Sequence, residues 1–173
     1  MKIVVIGGSG HIGTYLVLKL VKAGHQVISI TRGQSKPYKE DAAWGEVEQI
    51  ILDRAKESNG EFERKIAVLN ADVVLDLINF TLEDTTCVEE ALKKTNLSHY
   101  IFCSFIWAHG KATTMPVIEE QSKFPLEEYG IQKAKSEEYL HNLLPTGEFP
   151  GDRYHARPDF RSRVGNYESN GQS

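Results

Sequence analysis

Short apolar runs alternate with amphipathic stretches along most of the chain. Lys2-Ile3-Val4-Val5-Ile6 is the first run, and Gln26 to Arg32 the second. Val47 to Arg54 is the third, ending on the charged pair Asp53-Arg54. Asp72 to Ile78 and His99 to Ser104 complete the series. Runs this short, rich in β-branched residues and bounded by turn formers, predict five strands. Helices are predicted after the first glycine turn as far as Gly24, then over Glu61–Leu69, Leu82–Lys94 and about Tyr129–Leu144. The polar stretch Gly33–Glu46 predicts a loop with a short irregular segment, and the segment holding Pro116 and Pro125 a second loop. Strands that alternate with helices imply an α/β fold with a doubly wound parallel sheet and right-handed crossovers. The fourth strand is mostly apolar, as a strand covered on both faces should be.

The turn after the first strand changes this picture from architecture to chemistry. It reads Gly7-Gly8-Ser9-Gly10-His11-Ile12-Gly13 and opens the first helix. In a dinucleotide-binding βαβ unit, Gly7 permits the tight turn, Gly10 lets the backbone approach a pyrophosphate and Gly13 lets helix and strand pack closely. The phosphates then face the free N–H groups at the helix N-terminus, with His11 and Ile12 in its first turn.

Composition narrows the class. The 173 residues fit one domain of ordinary size, and a net charge of −4 with mixed signs argues against a nucleic-acid binder. No apolar stretch reaches membrane-spanning length and the N-terminus lacks a signal-peptide pattern, so a cytoplasmic location is expected. Cys87 and Cys103 have no metal-ligand spacing; no metal is expected, and buried free thiols are.

Cofactor choice is written at the end of the second strand, where NAD binders place an acid for the ribose 2′-OH. Here that end is Thr31-Arg32. A guanidinium can pair with a 2′-phosphate through two parallel hydrogen bonds, so NADP is favoured, with NAD as the alternative. Arg32 also reads as an ordinary solvated residue. Asp53 is open to two readings, a hydrogen bond to the adenine amino group, or a helix N-cap or plain surface acid.

Tyr129-Gly130-Ile131-Gln132-Lys133 places a phenol and an ammonium four residues apart on one helical face. The ammonium is expected to lower the tyrosine pKa towards neutrality. Such a tyrosine can exchange a proton with a carbinol or carbonyl while hydride moves to or from nicotinamide.

Taken together, Gly7–Gly10–Gly13, Asp53-Arg54, the fourth strand and Tyr129…Lys133 resemble the extended branch of the short-chain dehydrogenase/reductase superfamily, the NAD-dependent epimerase/dehydratase family. The resemblance covers Met1 to about Pro150 and implies a Rossmann-type NAD(P)-binding domain over 1–150. It implies that Tyr129 is the acid/base and that Lys133 binds the nicotinamide ribose and tunes Tyr129. It also places Asp53, Arg54, Ile78, Asn79 and Phe80 along the cofactor. The family has a Ser or Thr five residues before the glycine matching Gly110, whereas this chain has Phe105 there. Ser104 is the candidate hydroxyl, but one residue along a strand reverses the face, so it needs a bulge to re-aim it. His109 is the other group that could serve. The implied function is an NAD(P)-dependent oxidoreductase or epimerase-type enzyme acting on a small molecule, with a homodimer through a helical face compatible with it. A non-catalytic dinucleotide-binding or redox-sensing module is the alternative.

Residues 151–173 carry four arginines and no hydrophobic periodicity, so an irregular or disordered tail is expected. Read one nucleotide downstream with permitted codons, this stretch can encode the family pattern. A chain truncated or frameshifted after about residue 150, with most of its substrate region missing, is one expectation; a genuine short protein with a polar tail is the alternative.

Overall fold

A computed structural model describes residues 1–57, 60–112, 115, 117–118, 121–143 and 149. The expected tail, 151–173, lies outside the described residues. The element order is β1 (Lys2–Ile6), α1 (His11–Lys22), β2 (Gln26–Thr31), a 3-10 turn (Ala42–Glu46), β3 (Glu48–Ile51), α2 (Glu61–Val68), β4 (Val73–Asp76), α3 (Leu82–Leu92), β5 (His99–Phe102), a 3-10 turn (Ile106–Ala108) and α4 (Glu128–Leu143). All expected strands and helices are present. Several are shorter than the apolar pattern, because the pattern continues into residues beyond a strand end that keep a single backbone hydrogen bond to the neighbouring strand. Leu52 is one: it is buried beyond β3, and its N–H still reaches Thr31 O at 2.8 Å. The first helix starts earlier than its apolar stripe, at His11.

The five strands form one parallel sheet in the order β3-β2-β1-β4-β5. Alternation along β1 explains the double winding. Val4 and Ile6 point into a core built with Phe62 and Ile66 of α2, Val88 and Leu92 of α3 and Leu140 of α4. Ile3 and Val5 point the other way, onto Val17, Leu18 and Val21 of α1. Neighbouring strands leave β1 on opposite sides, so the strand order reverses between β1 and β4. A crevice at the carboxyl ends of the strands is expected at such a switch point. α3 is anchored next to it by a capping box, in which Thr81 accepts from Asp84 N–H and Asp84 accepts from Thr81 N–H. Among the described residues no helix is long and apolar enough to cross a membrane. Both cysteines are free, and each is half-buried where full burial was expected.

Candidate cofactor and catalytic site

Parallel strands bring every segment that follows a strand to one edge of the sheet. Gly7 to Gly13 follow β1, Arg32 follows β2, Asp53 and Arg54 follow β3, Ile78 and Asn79 follow β4, and Ser104 and Phe105 follow β5.

At the first of these, Gly7 has φ +90°, and a Cβ there would lie 2.8 Å from Ile78 Cγ2. A Cβ on Gly13 would lie 2.3 Å from Gly7 O, so α1 rests directly on the turn. Gly10 is the N-cap of α1. It supplies no side-chain cap, and the first turn of the helix holds no acidic residue. The helix therefore begins with backbone donors that no side chain of its own satisfies and a positive dipole end that no carboxylate neutralises, which fits an anion such as a pyrophosphate. His11 and Ile12 are exposed at that end. The His11 ring meets Tyr38 at 5.3 Å between centroids. Tyr38 N–H donates to Thr14 Oγ1 at 3.1 Å, so the loop after β2 is tied to α1.

Arg32 is exposed just beyond β2, where Thr31 Oγ1 accepts the Gly33 N–H at 3.2 Å. Asp53 closes a local turn: Oδ1 accepts Ala55 N–H at 3.2 Å, and its carbonyl accepts Lys56 N–H at 3.0 Å. The Arg54 side chain goes elsewhere. Its guanidinium donates inward, to Asp76 Oδ2 at 2.7 Å and Ile78 O at 3.1 Å, and lies over the Phe62 ring at 4.6 Å.

α4 carries Tyr129 and Lys133 to the far side of the crevice. Lys133 is 2 % exposed, and its Nζ donates to Asn79 O at 2.5 Å and Cys103 O at 2.7 Å. One ammonium thus ties α4 to the ends of β4 and β5 together. Burial lowers its pKa, against smaller opposing effects from Cys103 and Asp76. The Tyr129 phenol is raised by burial, with a smaller push from Cys103, not lowered as its helical neighbour implied. The reason is geometric: Lys133 Nζ is spent on two carbonyls and stays 5.8 Å from the Tyr129 ring centroid. Ser104 is not free either. Its hydroxyl donates to Glu137 Oε1, and Glu137 also accepts from Lys123 Nζ.

The sequence profile of the NAD dependent epimerase/dehydratase family matches residues 3–150. The chain belongs to this family. It is similar to 2'-dehydrokanamycin reductase of Streptomyces kanamyceticus, 31% identical over 147 residues that make up 85% of this chain and 40% of that protein. It is also similar to the chloroplast stem-loop binding protein of 41 kDa b of Arabidopsis thaliana, 33% identical over 132 residues, 72% of this chain and 34% of that protein. Its fold matches that of UDP-glucose 4-epimerase from Bifidobacterium longum, solved in complex with NAD+ and UDP. The TM-score is 0.70 at 22% identity, covering 84% of this chain and 50% of the other. The chain thus spans about half the length of the relatives it matches, or less.

Beneath the carboxyl edge of the sheet lies a polar network that local sequence patterns did not reveal. Asp76, at the end of β4, is fully buried and accepts from Arg54, from Tyr100 OH at 3.1 Å and from Asn79 Nδ2 at 3.3 Å. Asn79 Oδ1 accepts from Thr85 Oγ1 at 3.0 Å, and Thr85 meets Ser136 Oγ of α4 at 2.9 Å. Burial raises the Tyr100 phenol well above its ordinary range, reinforced by Asp76. Burial also opposes the charge on Arg54, but Asp76 more than offsets this and the net pKa is raised. Asn79 is therefore locked on both sides: its side chain by the network, its carbonyl by Lys133. Gly8 is a second residue whose role the motif did not assign. A Cβ there would lie 2.1 Å from the buried Ser29 Oγ of β2. Asp76 did carry a signal, as a lone acid inside an apolar run, since a buried carboxylate requires partners.

Proposed function

We propose that this chain forms the cofactor-binding and proton-transfer half of an NAD(P)-dependent oxidoreductase or epimerase-type enzyme, with NADP preferred. The open, acid-free N-terminus of α1 against the glycine turn is the observation that carries this reading. It would hold the pyrophosphate through backbone N–H groups, and Arg32 would pair with a 2′-phosphate. Asp53, Ile78 and Asn79 would border the adenine and nicotinamide ends. The bound coenzyme supplies a hydride donor or acceptor at the nicotinamide ring. Tyr129 moves the accompanying proton to or from the substrate oxygen. The phenol, its pKa raised by burial, is protonated at neutral pH, the form that can donate a proton to a carbonyl. Lys133 uses two of its three donors on backbone carbonyls, and the third would serve a ribose hydroxyl.

Replacing Tyr129 by Phe tests this assignment. NADPH binding, read by isothermal titration, should be unchanged, while turnover of a carbonyl substrate falls by about 10²–10⁴-fold. Equal turnover in the variant would remove Tyr129 from the reaction.

A further inference from the structure

The Lys133 ammonium rests on the Asn79 carbonyl, and the placement of Asn79 is itself set by hydroxyls. Its side-chain amide has one satisfied orientation. Nδ2 faces the Asp76 carboxylate at 3.3 Å and Tyr100 OH at 3.4 Å, so Oδ1 faces Thr85 Oγ1 at 3.0 Å. Thr85 Oγ1 also lies 3.1 Å from Thr81 O and 2.9 Å from Ser136 Oγ. Asn79 Oδ1 and Thr81 O can only accept, and a hydroxyl carries one proton. The Thr85 proton is therefore committed to these carbonyl oxygens, and Ser136 is the donor to Thr85.

The hydrogen bonds thus run one way, from Ser136 on α4 through Thr85 on α3 to Asn79 beyond β4. All three side chains are shut off from solvent. Ser136 stands one turn from Lys133 on the same face of α4. That helix grips Asn79 twice, holding its carbonyl with Lys133 and, through Thr85, its amide with Ser136. Docking of α4 does not need these hydroxyls. Gln132 Oε1 accepts Leu82 N–H at 3.0 Å at the start of α3, and Leu140 is fully buried in the core. What the hydroxyls add is the direction of the group on which the ammonium rests.

Resting on the reading of Lys133 as the ligand of the nicotinamide ribose, we infer that Thr85 and Ser136 are positioning residues for the Lys133 ammonium. They act through Asn79, and so on the nicotinamide half of the coenzyme and not on its adenine half.

Isothermal titration of the full chain with NADPH and with adenosine 2′,5′-bisphosphate tests this, because the bisphosphate lacks the nicotinamide and its ribose. Thr85→Val keeps the shape and removes the hydroxyl. It should raise the NADPH Kd about threefold to tenfold, the scale of one buried hydrogen bond, and leave the bisphosphate unchanged. Ser136→Ala should do the same, whereas Thr85→Ser, which keeps a hydroxyl, should bind NADPH as the native chain does. Unchanged bisphosphate binding also shows that each variant is folded. A purely structural role would move both ligands together or neither. Equal losses for the two ligands, NADPH binding unchanged in both Thr85→Val and Ser136→Ala, or Thr85→Ser behaving like Thr85→Val would each overturn the inference. Failure of the native chain to bind NADPH is a separate result, which would overturn the underlying coenzyme reading and the inference with it.

Discussion

The two ends of the crevice are built on different physical terms. At the β1 end, shape is set by backbone crowding: Gly7 sits at φ +90°, and Gly13 rests on the turn so closely that a methyl group would lie 2.3 Å from a carbonyl oxygen. At the β4–β5 end, shape is set by buried polar pairing, in which Asp76, Asn79 and Lys133 hold three elements together. The first device is local and tolerates no added atom. The second spans the domain and tolerates no missing partner.

Substitutions can separate these two devices. The largest effect is expected from Asp76→Asn, which removes the closer of the two carboxylates at the buried Arg54 guanidinium and leaves only Glu63, at 3.8 Å. Breaking such a pair costs about 3–5 kcal/mol, so the urea midpoint should fall sharply. A change under ~1 kcal/mol would show that Arg54 does not depend on Asp76. Gly13→Ala comes next, with about 1–3 kcal/mol lost to overpacking. The added methyl should also abolish NADPH binding by lifting α1 from the turn. A variant that binds NADPH normally would remove Gly13 from the cofactor cradle.

Arg32→Ala should leave stability unchanged, because Arg32 is exposed. It should raise the NADPH Kd about tenfold or more, the value of a charge-assisted pair, and leave NADH alone. Equal losses for both coenzymes would point to the pyrophosphate instead of the 2′-phosphate.

The smallest effect concerns pH and lies away from the crevice, as a control on both ends. Burial, with Glu89 close by, pushes the Tyr139 phenol from 10.0 up to about 12. A phenol whose folded pKa is raised stabilises the fold fully below the unfolded pKa and loses that contribution as pH rises through the folded value. Stability should therefore decline between pH 10 and about 12, and less steeply in Tyr139→Phe. Identical slopes in the two proteins would contradict the Glu89–Tyr139 contact, whose hydrogen bond measures 3.1 Å.

The same division explains what could be read from the sequence. The glycine turn was legible because its requirements fall within seven consecutive residues between a strand and a helix. Helical spacing likewise placed Tyr129 beside Lys133. That spacing did not tell where the lysine points, and the expected drop in the phenol pKa became a rise once Nζ turned to the carbonyls of Asn79 and Cys103. Arg54 looked like part of a cofactor-binding strand end, yet its partner lies 22 residues away on another strand. No periodicity reports such a pairing. Ser104 illustrates the same limit: only the packing of α4 against β5 reveals Glu137 as the group its hydroxyl meets.

We propose that the cofactor end of this chain favours the phosphorylated coenzyme. Isothermal titration of the full chain with NADPH and with NADH tests it most directly. Micromolar binding of NADPH with much weaker binding of NADH is the predicted result; NADH binding as tightly as NADPH, or no heat from either, would contradict it.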